Sequence, residues 1–249
     1  MKIITWNCNG ALRNKLSELE DQNADILIIQ ECEDPSRSTQ AYKVWAGDHL
    51  WVGDTKNKGI GVFAKKGNRI SKLNWNGNFS ISGLNSASLS VKWETEGLRL
   101  FLPFIINNEI KVLGVWTKGS DNEAFGYMGQ FWKYLQIHGN EIGNGKQIIV
   151  GDFNSNKKWD KPDRWWSHSD VINELKVLGL ESLNHLKLRE EQGDESQPTF
   201  YLHRNIEKPY HIDYVFVSKE YINSNIEIGK KEKWLSLSDH LPLIMETSS

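Results

Sequence analysis

Three short apolar runs, each closed by polar residues, constrain this chain more than anything else in it: KIITWN (Lys2 to Asn7), DILIIQE (Asp25 to Glu31) and QIIVGDFNSN (Gln147 to Asn156). Brief Ile/Leu/Val runs bounded in this way read as buried strands. In the third run Gly151 lets the backbone turn, so that Asp152 and Asn154 emerge together at the strand end. Phe153, between them, is expected to point the other way and anchor the turn in the core, which holds the two polar groups on one side. A carboxylate and an amide on a rigid strand end suit a metal-assisted or water-activating site. The same string can also be a turn whose side chains merely cap backbone amides, so the tips of the other strands decide. Asn7 ends the first run, and Gln30 and Glu31 end the second. An acid placed directly after Ile and Leu costs desolvation unless it is solvated, paired or bound to a metal.

Along the rest of the chain, Leu12, Leu16 and Leu19 recur at helical spacing after Gly10 and predict one amphipathic helix to about Asp21. From Tyr42 to about Val115 the pattern is β-rich. YKVWAG, HLWVGD, GIGVFAKKG, SASLSVKWE, LRLFLPFII and EIKVLGVW alternate apolar and polar residues between Gly, Asn and Asp turns, as largely antiparallel strands do. Asp121 to His138 carries a helical stripe of Phe125, Met128, Phe131, Trp132 and Leu135, read as core packing, and a further helix runs from about Ser169 to Leu178 and closes at Gly179. PTFYLHR and YHIDYVFVS read as neighbouring strands, with Asp213 inside apolar surroundings where a carboxylate needs a partner. His240, in the polar loop Ser238, Asp239 and His240 before a last apolar strand, is the candidate partner. These groups converge with Asp152 only if their strand ends share one edge of a sandwich.

No linker or run of like charge divides the 249 residues, so one domain spanning 1–249 is expected. Hydrophobic content of 39% with 25% charged residues is that of a globular chain with a sizeable core, which excludes a disordered or fibrous one. The formal charge of −2 rules out adhesion to nucleic acid by bulk charge, so a polyanionic substrate must be met by a local patch and a metal. Cys8 and Cys32 are too few for a disulfide framework and lack zinc spacing, which points to a reducing cytoplasm. The opening MKIITWN fails as a signal peptide and no segment approaches transmembrane length, so neither secretion nor a membrane partner is expected.

The ordered set WNCNG, IIQE, GDFN, HIDYVF and SDHLPL resembles the endonuclease/exonuclease/phosphatase (DNase I-like) superfamily over essentially the whole chain, and its layout is closest to the exonuclease III-type nucleases. That resemblance implies an α/β fold, a four-layer α-β-β-α sandwich of two mixed sheets flanked by helices with the site at one edge. It implies Glu31 as the main metal ligand with Asn7 beside it, for Mg²⁺ with Mn²⁺ as a substitute. Asp152 would orient and deprotonate the attacking water, and Asn154 would hold that water or the phosphate. His240 would donate to a non-bridging phosphate oxygen, Asp213 would fix its tautomer, and Asp239 would complete the polar edge.

One position departs from the family. The strand VLGVWT ends with Trp116 where a His or Tyr is usual, and an indole can donate a hydrogen bond but cannot accept a proton. Trp116 is then a stacking platform or plain packing. Beyond the GDFN tip, Trp159, Trp165 and Trp166 are interleaved with Lys157, Lys158, Lys161 and Arg164, a pattern that stacks bases and meets phosphates, or else packs as an apolar flap. Thr199, His203 and Arg204 could contact phosphate or form a solvated strand edge. The reading is a metal-dependent phosphodiesterase, with DNA as the leading partner. RNA, a small nucleotide, a phosphomonoester, or an inactive binding module are the alternatives.

Overall fold

The computed structural model describes residues 1–81, 91–119 and 123–247. In chain order its strands are β1 (Lys2–Asn7), β2 (Ile26–Cys32), β3 (His49–Thr55), β4 (Lys58–Ala64), β5 (Ile70–Lys72), β6 (Asn78–Ile81), β7 (Val91–Glu94), β8 (Phe101–Ile106), β9 (Ile110–Trp116), β10 (Gln147–Asp152), β11 (Glu181–Ser182), β12 (Phe200–Tyr201), β13 (Pro209–Tyr210), β14 (Asp213–Val217), β15 (Asn225–Ile228) and β16 (Leu243–Glu246). The helices are α1 (Leu16–Glu20), α2 (Gln40–Ala46), α3 (Met128–Ile142), α4 (His168–Val177), α5 (Leu183–Leu188) and α6 (Lys231–Trp234).

Two six-stranded mixed sheets carry the fold, ordered β15-β16-β1-β2-β4-β3 and β11-β14-β10-β9-β8-β5. Each is antiparallel except for one parallel pair, β1 with β2 and β9 with β10. Strand alternation sorts the apolar side chains into three layers. Ile3, Ile26, Ile28, Ile60 and Val62 of the first sheet face Val112, Ile148, Val150, Val215 and Val217 of the second, forming the core between the sheets. On the outer face of the first sheet Ile4, Leu27, Ile29 and Phe63 pack under Leu19 of α1, Tyr42 and Ala46 of α2 and Trp234 of α6. Leu113, Ile149 and Phe216 on the outer face of the second lie under Phe131 and Leu135 of α3 and Val171, Ile172 and Leu175 of α4. The result is the expected α-β-β-α sandwich.

Several local expectations change. YKVWAG is not a strand: Thr39 Oγ1 accepts from Tyr42 N and starts helix α2. Tyr42 and Ala46, four apart, are buried on one side while Val44 between them is exposed, so the residues that look alternating are in helical register. The predicted helix to Asp21 breaks into a 3-10 turn at Leu12–Asn14 and the short α1, because Lys15 between them leaves the helical conformation with φ −130 and ψ 15. PTFYLHR keeps only Phe200–Tyr201 as strand, paired with Pro209–Tyr210 in a separate ribbon, before a turn in which His203 and Arg204 are left-handed. Of the strand SASLSVKWE, residues 86–90 lie outside the described residues and Val91–Glu94 is strand. The helix expected from Asp121 starts at Met128, and residues 121 and 122 lie outside the described ones. Gly151 does not turn the chain either. It stays in the ladder opposite Tyr214 and Val115, with φ +147, and a Cβ there would collide with the carbonyl oxygen of Val115. Its bare α-carbon is what lets β9 and β10 approach.

Candidate active site

The site forms where the apolar core between the sheets runs out. Asn7 follows Ile3 and Thr5 on the inner face of β1, Asp152 follows Ile148 and Val150 on β10, and Asp213 precedes Val215 and Val217 on β14. The same alternation that buries the aliphatic residues therefore carries the polar ones to a common rim. Antiparallel pairing sets Asp152 opposite Asp213, and parallel pairing sets it beside Trp116.

Asp152 is fully buried and accepts three hydrogen bonds. Its Oδ2 accepts from Asn7 Nδ2 at 2.8 Å and Asn154 Nδ2 at 3.0 Å, and its Oδ1 accepts from Asn154 N at 2.9 Å. His240 Nε2 lies 4.0 Å from Asp152 Oδ2, while its Nδ1 lies 3.0 Å from Asp213 Oδ2. With Nδ1–H donating to Asp213, the Nε2 edge of the ring is left facing Asp152. The loop of His240 is tied to β1 and to Thr199. Trp6 Nε1 donates to His240 O, Ser238 Oγ donates to Asn7 O, and His240 N donates to Ser238 Oγ. Leu241 N donates to Thr199 O, and Thr199 Oγ1 accepts from Ile212 N and Asp213 N, so one buried threonine holds both members of the Asp213–His240 pair.

Burial pushes the Asp152 carboxyl up, and Asp213 beside it pushes the same way, against the attraction of His240 and the amide donors of Asn7 and Asn154. Its pKa therefore lies above the ordinary carboxylate range. Burial alone would lower His240, but Asp213 and Asp152 outweigh it and raise the imidazole above its usual value. Asp152, Asp213 and His240 are all buried. Among the described residues they are the group of three whose ligand-type atoms lie within 4.8 Å of one another.

Glu31 reaches the rim by a different route. Strict alternation from Ile29, which packs on the outer face, would turn Glu31 away from the other sheet. A register shift between Gln30 and Cys32, with Glu31 at φ +60, breaks that alternation. Such a bulge re-aims a side chain. Glu31 Oε1 accepts from Asn7 Nδ2 at 3.2 Å, and Oε2 from Lys58 Nζ. Asn7 thus braces Glu31 and Asp152 together with its amide nitrogen, while its oxygen accepts from Asn9 N at 2.9 Å. Asp239 is half-buried beside Ser238.

The remaining expected residues part company. Trp116 is buried in the core between the sheets, with Lys118 Nζ 5.3 Å from its ring centre, and is packing. Trp166 packs against Phe125 with ring centres 4.3 Å apart and belongs to the layer under α3, while its neighbour Trp165 is 50% exposed. Lys158 is exposed and Arg164 half-buried. Arg204, exposed, donates to Ser236 O and Leu237 O and steadies the loop leading to His240. The sequence reading missed Lys58, on strand β4, and a row of rings leading outward from the imidazole. Phe200 lies 4.6 Å from His240, Tyr210 lies 6.3 Å from Phe200, and exposed Trp159 lies 5.3 Å from Tyr210. The aromatics in PTFY and KPYHID were visible, but nothing local placed them beside the histidine.

A sandwich of two sheets that gathers two acids, two carboxamides and an acid-paired imidazole at one rim defines a phosphate-ester hydrolase. The sequence profile of the Endonuclease/Exonuclease/phosphatase family matches residues 4–240, and the chain belongs to that family. It is a metal-dependent phosphodiester hydrolase. No curated protein matches the sequence. Among solved structures, the chain is similar to the 3' phosphatase NExo from Neisseria bound to a product DNA hairpin, with 18% identity, both chains covered over 100% and a TM-score of 0.70. It is similar to an AP endonuclease from Archaeoglobus fulgidus at 17% identity, 100% of both chains and a TM-score of 0.66. It also resembles TDP2 of D. rerio complexed with a single-strand DNA product, at 15% identity over 100% of this chain and 99% of that one, with a TM-score of 0.58.

Proposed function

We propose that the chain, as one domain spanning 1–249, hydrolyses phosphodiester bonds of DNA with Mg²⁺, for which Mn²⁺ can substitute. The observation that carries this is the fully buried Asp152, held by Asn7 and Asn154 and facing the Nε2 edge of His240.

Glu31 fits a hard divalent cation. It is a carboxylate at the open side of the rim, 18% exposed, and already neutralised by a cation, the ammonium of the half-exposed Lys58. Asn7, beside Glu31, would join it in holding the ion, and Asp239 would border the same edge. When bound, the ion polarises a phosphate oxygen and offsets developing negative charge. Asp152, with its raised pKa, takes the proton of the attacking water, a contribution of about 10²–10⁴ in rate. Asn154 keeps that water or the phosphate in line. His240, oriented by Asp213 through Nδ1–H and favoured by it in the charged form, donates from Nε2 to a non-bridging oxygen as the pentacovalent state forms.

DNA as substrate is supported by the DNA products in the NExo and TDP2 structures and by the ring row from Phe200 to Trp159, next to exposed Lys157 and Lys158. Trp165, 50% exposed, and Arg164 extend that surface. No helix among the described residues is long and apolar enough to cross a membrane. We place the enzyme in the cytoplasm on its two free, buried thiols, Cys8 and Cys32.

The test is purified protein with Mg²⁺ against plasmid, single-stranded DNA, RNA, a chromogenic diester and a chromogenic monoester, with and without EDTA. EDTA-sensitive cleavage of DNA and of the chromogenic diester is expected. Phosphate release from the monoester without diester cleavage would make it a phosphomonoesterase, a preference for RNA would replace the substrate, and inactivity on every substrate would make it a binding module.

A further inference from the structure

A second buried polar cluster lies behind the rim, and no step of the proposed reaction uses it. At its centre is Glu195, whose side chain is 4% exposed. Burial pushes this carboxyl up, but the hydrogen bonds from His185, Gly193 N and Asn156 more than reverse that and hold it below the ordinary carboxylate range. Oε1 accepts from Gly193 N at 2.8 Å and from His185 Nε2 at 3.3 Å. Oε2 accepts from Asn156 Nδ2 at 3.1 Å, and the same amide group donates to His211 O at 3.0 Å, so both of its protons are committed.

Asn156 is two residues beyond Asn154 on the loop that leaves β10 at Asp152. That loop needs an external hold, because Asn154 is left-handed at φ +45, a conformation that carbons beyond Cα disfavour. Phe153, fully buried, fastens its start. Its far end is fastened at Ser155, whose hydroxyl donates to His168 Nδ1 at 3.2 Å and whose carbonyl lies 3.1 Å from the Tyr214 hydroxyl, and at Asn156 by Glu195. A neutral side chain could serve one of these segments. A single carboxylate serves two at once, the Gly193 turn through one oxygen and the catalytic loop through the other, with charge-assisted bonds that are about twice as strong as neutral ones.

Given the phosphodiesterase reading above, on which this rests, we infer that Glu195 is a positioning residue which, through Asn156, sets where Asn154 and hence Asp152 stand relative to the phosphate. It touches no reacting atom. Displacement of a catalytic group by about 1 Å costs about 10² in rate. Asn156 also caps the turn of Lys157, Lys158 and Trp159 by accepting from Lys158 N at 3.0 Å, so the kcat effect is read on a small chromogenic diester that does not extend to that turn.

Wild type, E195Q and E195A are compared on a chromogenic diester and on oligonucleotide DNA with Mg²⁺, with circular dichroism to confirm folding. On the chromogenic diester E195A should lose roughly 10–100-fold in kcat with KM within about twofold, and E195Q, which keeps acceptor oxygen but not charge, should fall between. On that diester, folded variants with wild-type kcat, or a loss carried by KM alone, overturn the inference. If E195A fails to fold, E195Q decides by the same criterion. Wild-type protein that cleaves no diester overturns the functional reading and this inference with it, whereas an active wild type with indifferent variants overturns this inference alone.

Discussion

Glu31 and Asp152 follow nearly the same kind of sequence, Ile-rich runs that stop on an acid, yet the fold gives them opposite environments. Asp152 continues the regular alternation of its strand into the end of the core, where it is fully buried, takes three hydrogen bonds and has its pKa raised by burial and by Asp213. Glu31 is re-aimed to the rim by a bulge, stands 18% exposed and is paired with an exposed lysine. A buried acid with a raised pKa suits proton abstraction, and an accessible acid neutralised by a replaceable cation suits a metal. Position relative to the core, not the preceding residues, separates base from ligand. Asn7, donating to both, is the hinge of that division.

The largest expected effect comes from the buried member. D152N should lower kcat by roughly 10²–10⁴ while leaving the Mg²⁺ concentration for half-maximal rate unchanged; an altered metal dependence would collapse the distinction between the two acids. E31Q should weaken the apparent metal affinity by roughly 10–100-fold, with activity partly regained at high Mg²⁺, and a defect indifferent to metal concentration would remove Glu31 from the metal side. W159A should weaken oligonucleotide binding by ~1 kcal/mol, about fivefold, and spare the chromogenic diester. Equal losses on both substrates would show that the ring only packs on Tyr210. K58A frees Glu31 of its competing cation and should tighten apparent metal affinity by about two- to fivefold, the scale of an exposed ion pair; a weaker affinity would mean that Lys58 orients Glu31 for the ion.

The smallest effect is one of stability against pH. Because the Glu195 carboxyl is held below its ordinary range in the fold, its charge contributes stability that is complete above the unfolded-state pKa of about 4.3 and is lost as pH falls toward the lowered folded value. The melting temperature of wild type should exceed that of E195Q by ~2–4 °C at pH 7, about 1 kcal/mol, and the gap should narrow progressively as pH falls below about 4. A gap that widens on acidification would show that the charge is not what Glu195 contributes.

Much of this was legible in the residues, for a physical reason. A strand's burial pattern repeats every second residue, so KIITWN, DILIIQE and QIIVGDFN display their strands without help from the rest of the chain. An acid embedded in apolar sequence, such as Asp213 in HIDYVFV, demands a partner, and His240 is that partner at 3.0 Å. What stayed hidden depends on distant packing. YKVWAG passes for a strand until Thr39 caps it and the first sheet covers Tyr42 and Ala46. Trp116 and Trp166 look like stacking platforms until the core closes over one and Phe125 over the other.

Local chemistry along the chain determined which groups this protein brings to its site: acids, amides and an imidazole at the ends of apolar strands, where desolvation makes each of them costly without a role. Only the tertiary structure decided which acid is sealed in and which is open, that a bulge re-aims Glu31, and that Glu195, 39 residues away, holds the loop of Asn156. Burial and hydrogen-bond partnership are properties of what packs from elsewhere, and no stretch of sequence contains its own surroundings.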